Sequence, residues 1–317
     1  MELDHDVQRM LDSADPAAPG FEVMPLEKLR DAVAGMQQVC GPGLPVALVR
    51  ELTLPGPGTD RLPARLYHPV PGRTLPLVVL AFGGGFVAGS IDVVDTPARQ
   101  LAVLGEVAVL SVVYRLAPEH PFPAGLDDVV AAVRWASAHA AELGGDATRL
   151  GVLGESSGGA LAAGAALRLR GDLHPPLAAQ VLIYPVLDTE LDTASYVRQA
   201  DGPVLTRAAM RRFLVDYLAS GSLENPPAGA MPGREPDLSG MPPTLIAVAE
   251  HDPLRTEGEQ FASRLRDAGV DAQLRLWEGM PHASWYFDHV SPAAATANQD
   301  LAREVGRLLR AGASSSG

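Results

Sequence analysis

Short apolar segments alternate with helical segments along most of this chain, and that order limits the possible folds more than any other feature. Residues 75–82 (LPLVVLAF) and 107–115 (VAVLSVVYR) are almost wholly apolar, which is typical of strands buried on both faces. Residues 125–143 instead repeat apolar side chains every three or four positions, as an amphipathic helix does. Such an alternation predicts a mostly parallel sheet covered by helices on both faces.

The same pattern continues to the end of the chain. It predicts further strands at residues 46–54, 61–69, 149–154, 178–186, 243–250 and 272–279, and further helices at residues 158–170, 258–269 and 297–310. We therefore expect an α/β core made of residues 46–187 and 239–312. Residues 313–317, which are small and polar, are predicted to be a disordered tail.

Two helical parts do not fit the alternation. Residues 1–45 contain two short helical segments, and residues 188–238 form a long polar and helical insertion between two strands. Because open α/β sheets bind ligands beyond the carboxyl ends of their strands, we expect both parts to form a cap over that edge.

Charge and cysteine content exclude several classes of protein. The 317 residues carry a formal net charge of −13, and Lys28 is the only lysine, so nucleic acid and anionic membranes are disfavoured as partners. The single cysteine, Cys40, allows no internal disulfide and no cysteine-rich zinc site. With no signal-like start and no apolar run of roughly 20 residues, we expect a soluble, cytoplasmic protein. Its oligomeric state is left open, with a homodimer as one alternative.

A sequence of the form G-x-S-x-G lies where a strand gives way to a helix. Gly154 and Gly158 flank Ser156 in the stretch GESSG. A sharp strand-to-helix turn exposes such a serine, while the start of the helix directs free N–H groups towards the same point. A small-residue turn that only serves helix packing is the alternative interpretation. We favour a nucleophile, because both flanking elements are of the expected kind.

A serine nucleophile needs a base and a carboxylate, which in this architecture follow the serine in the order Asp or Glu, then His. Asp252 comes directly after the apolar strand at 243–250, and His282 follows the last strand. Alternatives stay open at both positions, namely Glu250 or His251 for the carboxylate region and His289 for the base. We favour Asp252 and His282, and a metal site is disfavoured because the histidines lack ligand spacing.

Three consecutive glycines, residues 83–85, follow the strand at 75–82. The stretch GGGFVAG is not a dinucleotide-binding G-x-G-x-x-G, and the Gly-Lys-Ser/Thr of a phosphate-binding loop is absent. Backbone N–H groups from such a loop, with the N–H that follows the nucleophile, can instead bind the oxyanion of a tetrahedral intermediate. We interpret the glycines as part of an oxyanion hole.

Five stretches of the chain resemble one known family. FGGGFVAGS, YRLAPEHPFPA, GESSGGALAAG, DPLRTEG and GMPHA occur in the order found in the hormone-sensitive lipase family of α/β-hydrolases, especially its bacterial carboxylesterases. The resemblance runs from about residue 45 to 310. It implies an α/β-hydrolase fold with a mostly parallel, twisted sheet of about eight strands, flanking helices and a helical cap.

The resemblance also implies roles for individual residues. Ser156 would be the nucleophile, Asp252 the orienting carboxylate and His282 the base. The backbone amides that form the oxyanion hole would be those of Gly83, Gly84 and Ser157.

The chain departs from the family pattern beside these residues. Phe82 stands where the family has a histidine that is credited with holding the glycine loop, Ser157 stands where alanine is common, and Thr256 stands where aspartate is common. In YRLAPEHPFPA, whose role we interpret as structural, Arg115 and Glu119 are expected to pair. The predicted substrate pocket includes Phe82, Phe86 and Glu155.

Together these patterns predict a serine carboxylesterase or deacetylase that cleaves small or medium acyl esters through an acyl-enzyme, without cofactor or metal. One alternative is a lyase, dehydratase or cyclase on the same scaffold, for which Phe82 is the only hint. Another is a non-catalytic small-molecule receptor, which the complete Ser-Asp-His set disfavours.

Overall fold

Eight strands form a single sheet in the computed structural model, which describes residues 2–15, 17–219 and 223–312. In chain order they are β1 (Leu48–Gly56), β2 (Thr59–His68), β3 (Leu75–Ala81), β4 (Ala108–Val112), β5 (Gly145–Glu155), β6 (Ala179–Ile183), β7 (Thr244–His251) and β8 (Ala272–Pro281). Their spatial order is β1-β2-β4-β3-β5-β6-β7-β8. The β1–β2 and β2–β4 pairs are antiparallel and the others are parallel. This confirms the predicted mostly parallel sheet.

Helices connect and flank these strands. They are α1 (His5–Asp12), α2 (Leu26–Cys40), α3 (Asp95–Gly105), α4 (Ala124–Ala138), α5 (Ser157–Leu169), α6 (Ala194–Arg198), α7 (Arg207–Leu218), α8 (Arg255–Asp267) and α9 (Pro292–Gly312). Short 3-10 turns lie at Ala140–Leu143, Pro232–Arg234 and Ser284–Tyr286. Within the described residues, no helix has the length and apolar character needed to cross a membrane.

The centre of the sheet is buried and almost wholly apolar, as its sequence predicts. Every residue of β3 and of β4 is buried, which fits strands covered by helices on both faces. At the end of β5, glycines allow the backbones to approach one another closely. A methyl group on Gly154 would lie 2.0 Å from the carbonyl oxygen of Gly158, and one on Gly158 would lie 2.1 Å from that of Ala81. The chain therefore needs both glycines where β3, β5 and α5 meet.

Helix α3 is absent from the sequence-based prediction. It connects β3 to β4, which are adjacent and parallel, and parallel neighbours require a crossover that is usually helical. Its apolar periodicity is weakened because Pro97 and Gln100 occupy buried positions. Topology was therefore the better signal for this helix than hydrophobic pattern.

The expected pair of Arg115 with Glu119 is wrong. The Arg115 guanidinium instead forms a two-pronged ion pair with the fully buried carboxylate of Asp128 on α4, with its Nε 2.9 Å from Oδ2 and its Nη2 2.9 Å from Oδ1. Glu119 pairs with Arg30 of α2, at 2.7 Å. Both acids are long-range partners that the local sequence does not reveal.

The N-terminal segment and the insertion between β6 and β7 contact each other above the sheet. Arg212 of α7 donates hydrogen bonds to the carbonyl oxygens of Phe21, at 3.2 Å, and Met24, at 2.5 Å. The rings of Phe21 and Phe213 lie 6.3 Å apart. These contacts are those expected of a two-part cap, and its bounds, residues 1–45 and 188–238, stay predictions. The predicted tail, residues 313–317, lies outside the described residues.

Candidate active site

Ser156 occupies the sharp turn between β5 and α5. Its backbone has φ +56° and ψ −120°, a conformation that is strained for a residue with a side chain. The Ser156 amide donates to the carbonyl oxygen of Ile183, 2.9 Å away, which fixes the turn on β6. The serine hydroxyl is thereby held at the carboxyl edge of the sheet, at the start of α5.

Asp252 and His282 follow β7 and β8 and meet Ser156 at this edge. The Nε2 atom of His282 lies 3.0 Å from the Oγ atom of Ser156, and its Nδ1 atom lies 2.7 Å from Oδ2 of Asp252. The other oxygen of Asp252 accepts a hydrogen bond from the Leu254 amide at 2.9 Å. These are the distances at which a base can take a hydroxyl proton while a carboxylate orients it.

The alternative residues lie elsewhere. Glu250 accepts a hydrogen bond from the Gly279 amide at 2.8 Å. His251 pairs with Pro281 across β7 and β8, and its buried Nε2 has no hydrogen-bond partner among the described residues. His289 lies in an exposed turn before α9, against Gly41. The structure therefore brings Asp252 and His282, the favoured pair, to the serine.

The environment of His282 favours its protonated form. Burial lowers the pKa of the imidazole, but the charge of Asp252 and the hydrogen bond that Asp252 accepts from the ring raise the pKa, and the charge of Glu155 raises it further. The net result is a pKa above the ordinary value of 6.5. These surroundings stabilise the imidazolium that forms when His282 accepts a proton.

The glycine loop after β3 has two glycines in conformations that disfavour side chains. Gly84 has φ +127° and Gly85 has φ +64°. The Gly84 carbonyl oxygen accepts from the amides of Val87, at 3.2 Å, and Ala88, at 3.0 Å. Within the described residues the amides of Gly84 and Gly85 have no hydrogen-bond acceptor, so both remain available to a ligand.

Gly83 differs from its two neighbours in its contact with a buried acid. A methyl group on Gly83 would lie 2.0 Å from Oε2 of Glu155, and the Gly83 amide contributes to lowering the pKa of that carboxyl group. Glu155 therefore packs directly against Gly83, and the expected place of the Gly83 amide in the oxyanion hole stays a prediction. The Ser157 amide, at the first position of α5, lies among the orphan donors of a helix start.

An apolar cavity of about 100 Å³ opens beside Ser156 and His282. The core, the N-terminal segment and the insertion all contribute to its walls. Its lining consists of Phe21, Val33, Met36, Gly83, Gly84, Gly85, Val93, Glu155, Ser156, Val204, Leu205, Met210, Phe213, His282, Ala283 and Tyr286.

Two of the three predicted pocket residues do not line this cavity. The ring of Phe82 stacks on Tyr114 with centroids 4.4 Å apart, and the ring of Phe86 stacks on Tyr217 at 3.8 Å. Both phenylalanines are buried beneath the loop. Phe86 has φ +66°, and this turn of the chain directs its ring into the packing rather than into the cavity. Of the three, only Glu155 reaches the lining.

Sequence analysis missed several residues at the site. The ring of Tyr184 packs against the His282 imidazole at 4.6 Å, and the hydroxyl of Tyr286 donates to Glu155 at 2.9 Å. Phe21 and Phe213 reach the cavity from separate parts of the cap. No local pattern marks these aromatics, although Tyr184 follows β6 directly at the functional edge of the sheet, a position that was a usable signal.

Among the described residues, no three His, Cys, Asp or Glu side chains are grouped so that they could hold a metal ion.

Known proteins similar to this chain share one fold and related names. The chain matches a family described by the alpha/beta hydrolase fold over residues 78–286. Carboxylesterase NlhH of Mycobacterium tuberculosis is 40% identical, over 93% of this chain and 92% of its own. An arylesterase of Saccharolobus solfataricus is 32% identical, over 83% and 85% respectively. A hyperthermophilic esterase from Pyrobaculum calidifontis superposes with a TM-score of 0.90 and 32% identity, covering 97% of this chain and 99% of its own.

Proposed function

Because this chain belongs to the α/β-hydrolase family and is a carboxylic ester hydrolase like its relatives, we propose that it cleaves small and medium acyl esters through an acyl-enzyme on Ser156. The observation that carries this proposal is the hydrogen-bonded series Ser156–His282–Asp252, with distances of 3.0 and 2.7 Å. A cytoplasmic location and a homodimer stay predictions beside it.

Acylation begins with the Ser156 hydroxyl. Its oxygen attacks the ester carbonyl carbon while Nε2 of His282 takes the hydroxyl proton. Asp252 accepts the hydrogen bond from Nδ1–H, which orients the imidazole and stabilises its positive charge. The protonated His282 then gives its proton to the leaving alcohol, and the acyl group remains on Ser156.

Deacylation repeats these steps with water as the nucleophile. His282 takes a proton from the water, which attacks the acyl carbon, and the proton returns to Ser156 as the carboxylic acid leaves. In both halves we assign the oxyanion to the amides of Gly84, Gly85 and Ser157. The sequence predicted the amide of Gly83 in place of that of Gly85, and we prefer Gly85 because Glu155 packs directly against Gly83.

The lyase, dehydratase or cyclase alternative has lost its only hint. Phe82 suggested that alternative, but its ring stacks on Tyr114 beneath the loop and does not line the cavity. No other observation on the site favours it over ester hydrolysis.

Replacement of the nucleophile tests the proposal. Ser156→Ala is expected to lower kcat for a short-chain aryl ester by several orders of magnitude and to abolish the burst of released chromophore, because no neighbouring group replaces the hydroxyl. Ser111→Ala is the matched control, since that serine is equally buried on β4 and its hydroxyl has no partner among the described residues. If folded Ser156→Ala kept more than about a tenth of the wild-type kcat, Ser156 would not be the nucleophile.

A further inference from the structure

A second carboxyl group is buried beside the three proposed catalytic residues, and the mechanism above does not use it. Glu155 is the last residue of β5, immediately before Ser156, and is 2% exposed. Its Oε2 accepts a hydrogen bond from the hydroxyl of Tyr286, 2.9 Å away. A buried acid with such a position needs an explanation, because an ionised side chain is rarely buried unless it is paired.

Glu155 is packed directly against the glycine loop. A Cβ on Gly83 would lie 2.0, 2.6 and 2.8 Å from Oε2, Cδ and Oε1 of Glu155, so no residue with a side chain fits there without displacing the acid. Gly83 does not have a positive φ, so the close approach, and not the backbone conformation, requires glycine. The Gly83 amide also contributes to lowering the pKa of the Glu155 carboxyl group.

Glu155 is also connected to the base. The Tyr184 hydroxyl and the Glu155 carboxyl group affect each other's pKa, and the hydroxyl accepts a hydrogen bond from the Trp285 amide at 3.3 Å. The ring of Tyr184 lies against the His282 imidazole, with centroids 4.6 Å apart. The Glu155 carboxyl group therefore lies near the glycine loop and near Tyr184, the residue that packs against His282.

We propose that Glu155 is a positioning residue for ester hydrolysis, which as a carboxylate holds the glycine loop through Gly83 and stabilises the positive charge that develops on His282. The inference rests on the proposed function, since it assigns a role in the same reaction. In this proposal, Asp252 orients the His282 imidazole through direct contact, whereas Glu155 acts on the imidazole through space and across the Tyr184 ring.

The surroundings of Glu155 act on its charge in opposite directions. Burial raises the pKa of Glu155, the positive charge of His282 and the hydrogen bond from Tyr286 lower it, and the net pKa lies above the ordinary value of 4.5. The carboxylate form is therefore favoured most when His282 carries its positive charge. The other titratable groups affected by its charge are buried, and burial is the chief cause that raises the pKa of each of them, namely the Cys40 thiol and the phenols of Tyr114, Tyr184 and Tyr286. His282 is thus the cation that faces Glu155.

The pH profile separates this role from a merely structural one. The charges of Asp252 and Glu155 both raise the pKa of His282, and the base works only when neutral, so kcat/KM falls as the pH drops through that pKa. Removing the Glu155 charge lowers this pKa. The acid limb of the profile must then move to lower pH.

Glu155→Gln is the decisive variant, because it removes the charge and keeps the shape. We expect the midpoint of the acid limb to move down by about 0.5 to 1 pH unit, and kcat at the optimum to fall on the order of tenfold with KM changed less than threefold. Glu257→Gln is the matched control. Glu257 is also a buried glutamate that accepts backbone hydrogen bonds, from Leu187 and Asp188, but it does not contribute to the His282 pKa.

Tyr286→Phe separates the effect of the hydrogen bond to Glu155 from the effect of the Glu155 charge. It removes one hydrogen bond to the carboxyl group and leaves the charge, so the acid limb should stay within about 0.3 pH unit of wild type. If folded Glu155→Gln had an unchanged midpoint and a kcat within twofold of wild type, the proposal would be overturned. A shift of equal size in Glu257→Gln would overturn it as well.

A second variant keeps the inference testable if Glu155→Gln does not fold. Glu155→Asp retains the charge but shortens the side chain away from Gly83. We expect the acid limb to stay in place while kcat falls roughly tenfold, and full activity in this variant would contradict the positioning role. If the role of Glu155 is wrong, Ser156→Ala is still inactive. If the proposed function is wrong, Ser156→Ala keeps its activity, so the two failures can be distinguished.

Discussion

Phe82 packs its ring face to face with Tyr114, and the Tyr114 hydroxyl donates to the Phe82 carbonyl oxygen at 2.7 Å. The residue before the glycine loop is therefore held by stacking and by a backbone contact. Gly89 at the far end of the loop also leaves room for this ring, since a methyl group there would lie 2.7 Å from Cδ2 of Phe82. Apolar packing here replaces the hydrogen bonds credited to the family's histidine.

Phe82→His tests whether that replacement matters for the reaction. We expect less than about a tenfold change in kcat for a short-chain ester, because the donors to the oxyanion are backbone amides in either variant. The melting temperature should fall, because a buried imidazole without good partners costs about 1–3 kcal/mol. Both are measured by steady-state kinetics and thermal melts. A hundredfold rise in esterase kcat would instead revive the lyase or cyclase alternative.

The sequence was sufficient for the residues whose place follows from chain topology. Ser156, Asp252 and His282 each follow a strand that ends at the same edge of the sheet, so their meeting could be predicted. The contact of Glu155 with Gly83 could not be predicted, because it depends on how two side-by-side strands, β3 and β5, align their ends. That alignment also decides which glycine amides stay free.

At the level of elements, Arg30 connects helix α2 to the core. Its Nε donates to the carbonyl oxygen of Val87 in the glycine loop at 2.8 Å, and its Nη2 to that of Ala117 at 3.2 Å. The same guanidinium pairs with both oxygens of Glu119, at 2.8 and 2.7 Å. A single side chain of the N-terminal segment thereby holds the glycine loop to the turn after β4.

Arg30→Ala should destabilise the protein more than Glu119→Gln does. Loss of the guanidinium leaves the buried carbonyl groups of Val87 and Ala117 without this donor, at about 1–3 kcal/mol each, so the melting temperature should drop by several degrees. Glu119 is half exposed, and its hydrogen bond with Arg30, which lowers the pKa of Glu119 to about 2, is screened by solvent. Glu119→Gln should therefore cost less than about 1 kcal/mol.

Calorimetry on the two variants distinguishes the carbonyl contacts from the ion pair. Equal losses of stability would mean that the ion pair, and not the contacts with the loop, fixes α2. Neither contact was predictable, because Arg30 lies far from its partners in the sequence. The elements themselves were predictable except α3, where a buried glutamine and a proline mask the helical period.

At the scale of the whole molecule, the cavity is assembled from distant parts of the chain. Phe21 comes from the N-terminal segment, Phe213 from the insertion, and Ser156 and His282 from the core. The sequence predicted a cap over this edge, because two segments did not fit the alternation of strands and helices. It did not predict the size of the cavity, which depends on how the side chains of separate segments pack together.

We expect the size of the cavity to limit the acyl chains that the enzyme accepts. The cavity measures about 100 Å³, less than the roughly 150 Å³ of an engineered apolar cavity that accepts benzene. Phe213 lies against the loop, where a methyl group on Gly85 would be 2.5 Å from its ring. We therefore expect a short acyl chain to fit beside Ser156 and a long one to meet the Phe213 ring.

Phe213→Ala should widen the range of acyl chains. For wild type we expect kcat/KM to be at least about tenfold higher for butyrate than for octanoate aryl esters, and the variant should raise the octanoate-to-butyrate ratio about tenfold, since each buried methylene contributes about 0.8 kcal/mol. Phe261→Ala, an equal truncation of a buried ring on α8 that does not line the cavity, should leave the ratio unchanged. Wild-type rates on octanoate equal to those on butyrate, or a ratio unmoved in folded Phe213→Ala, would show that the cap does not limit acyl length.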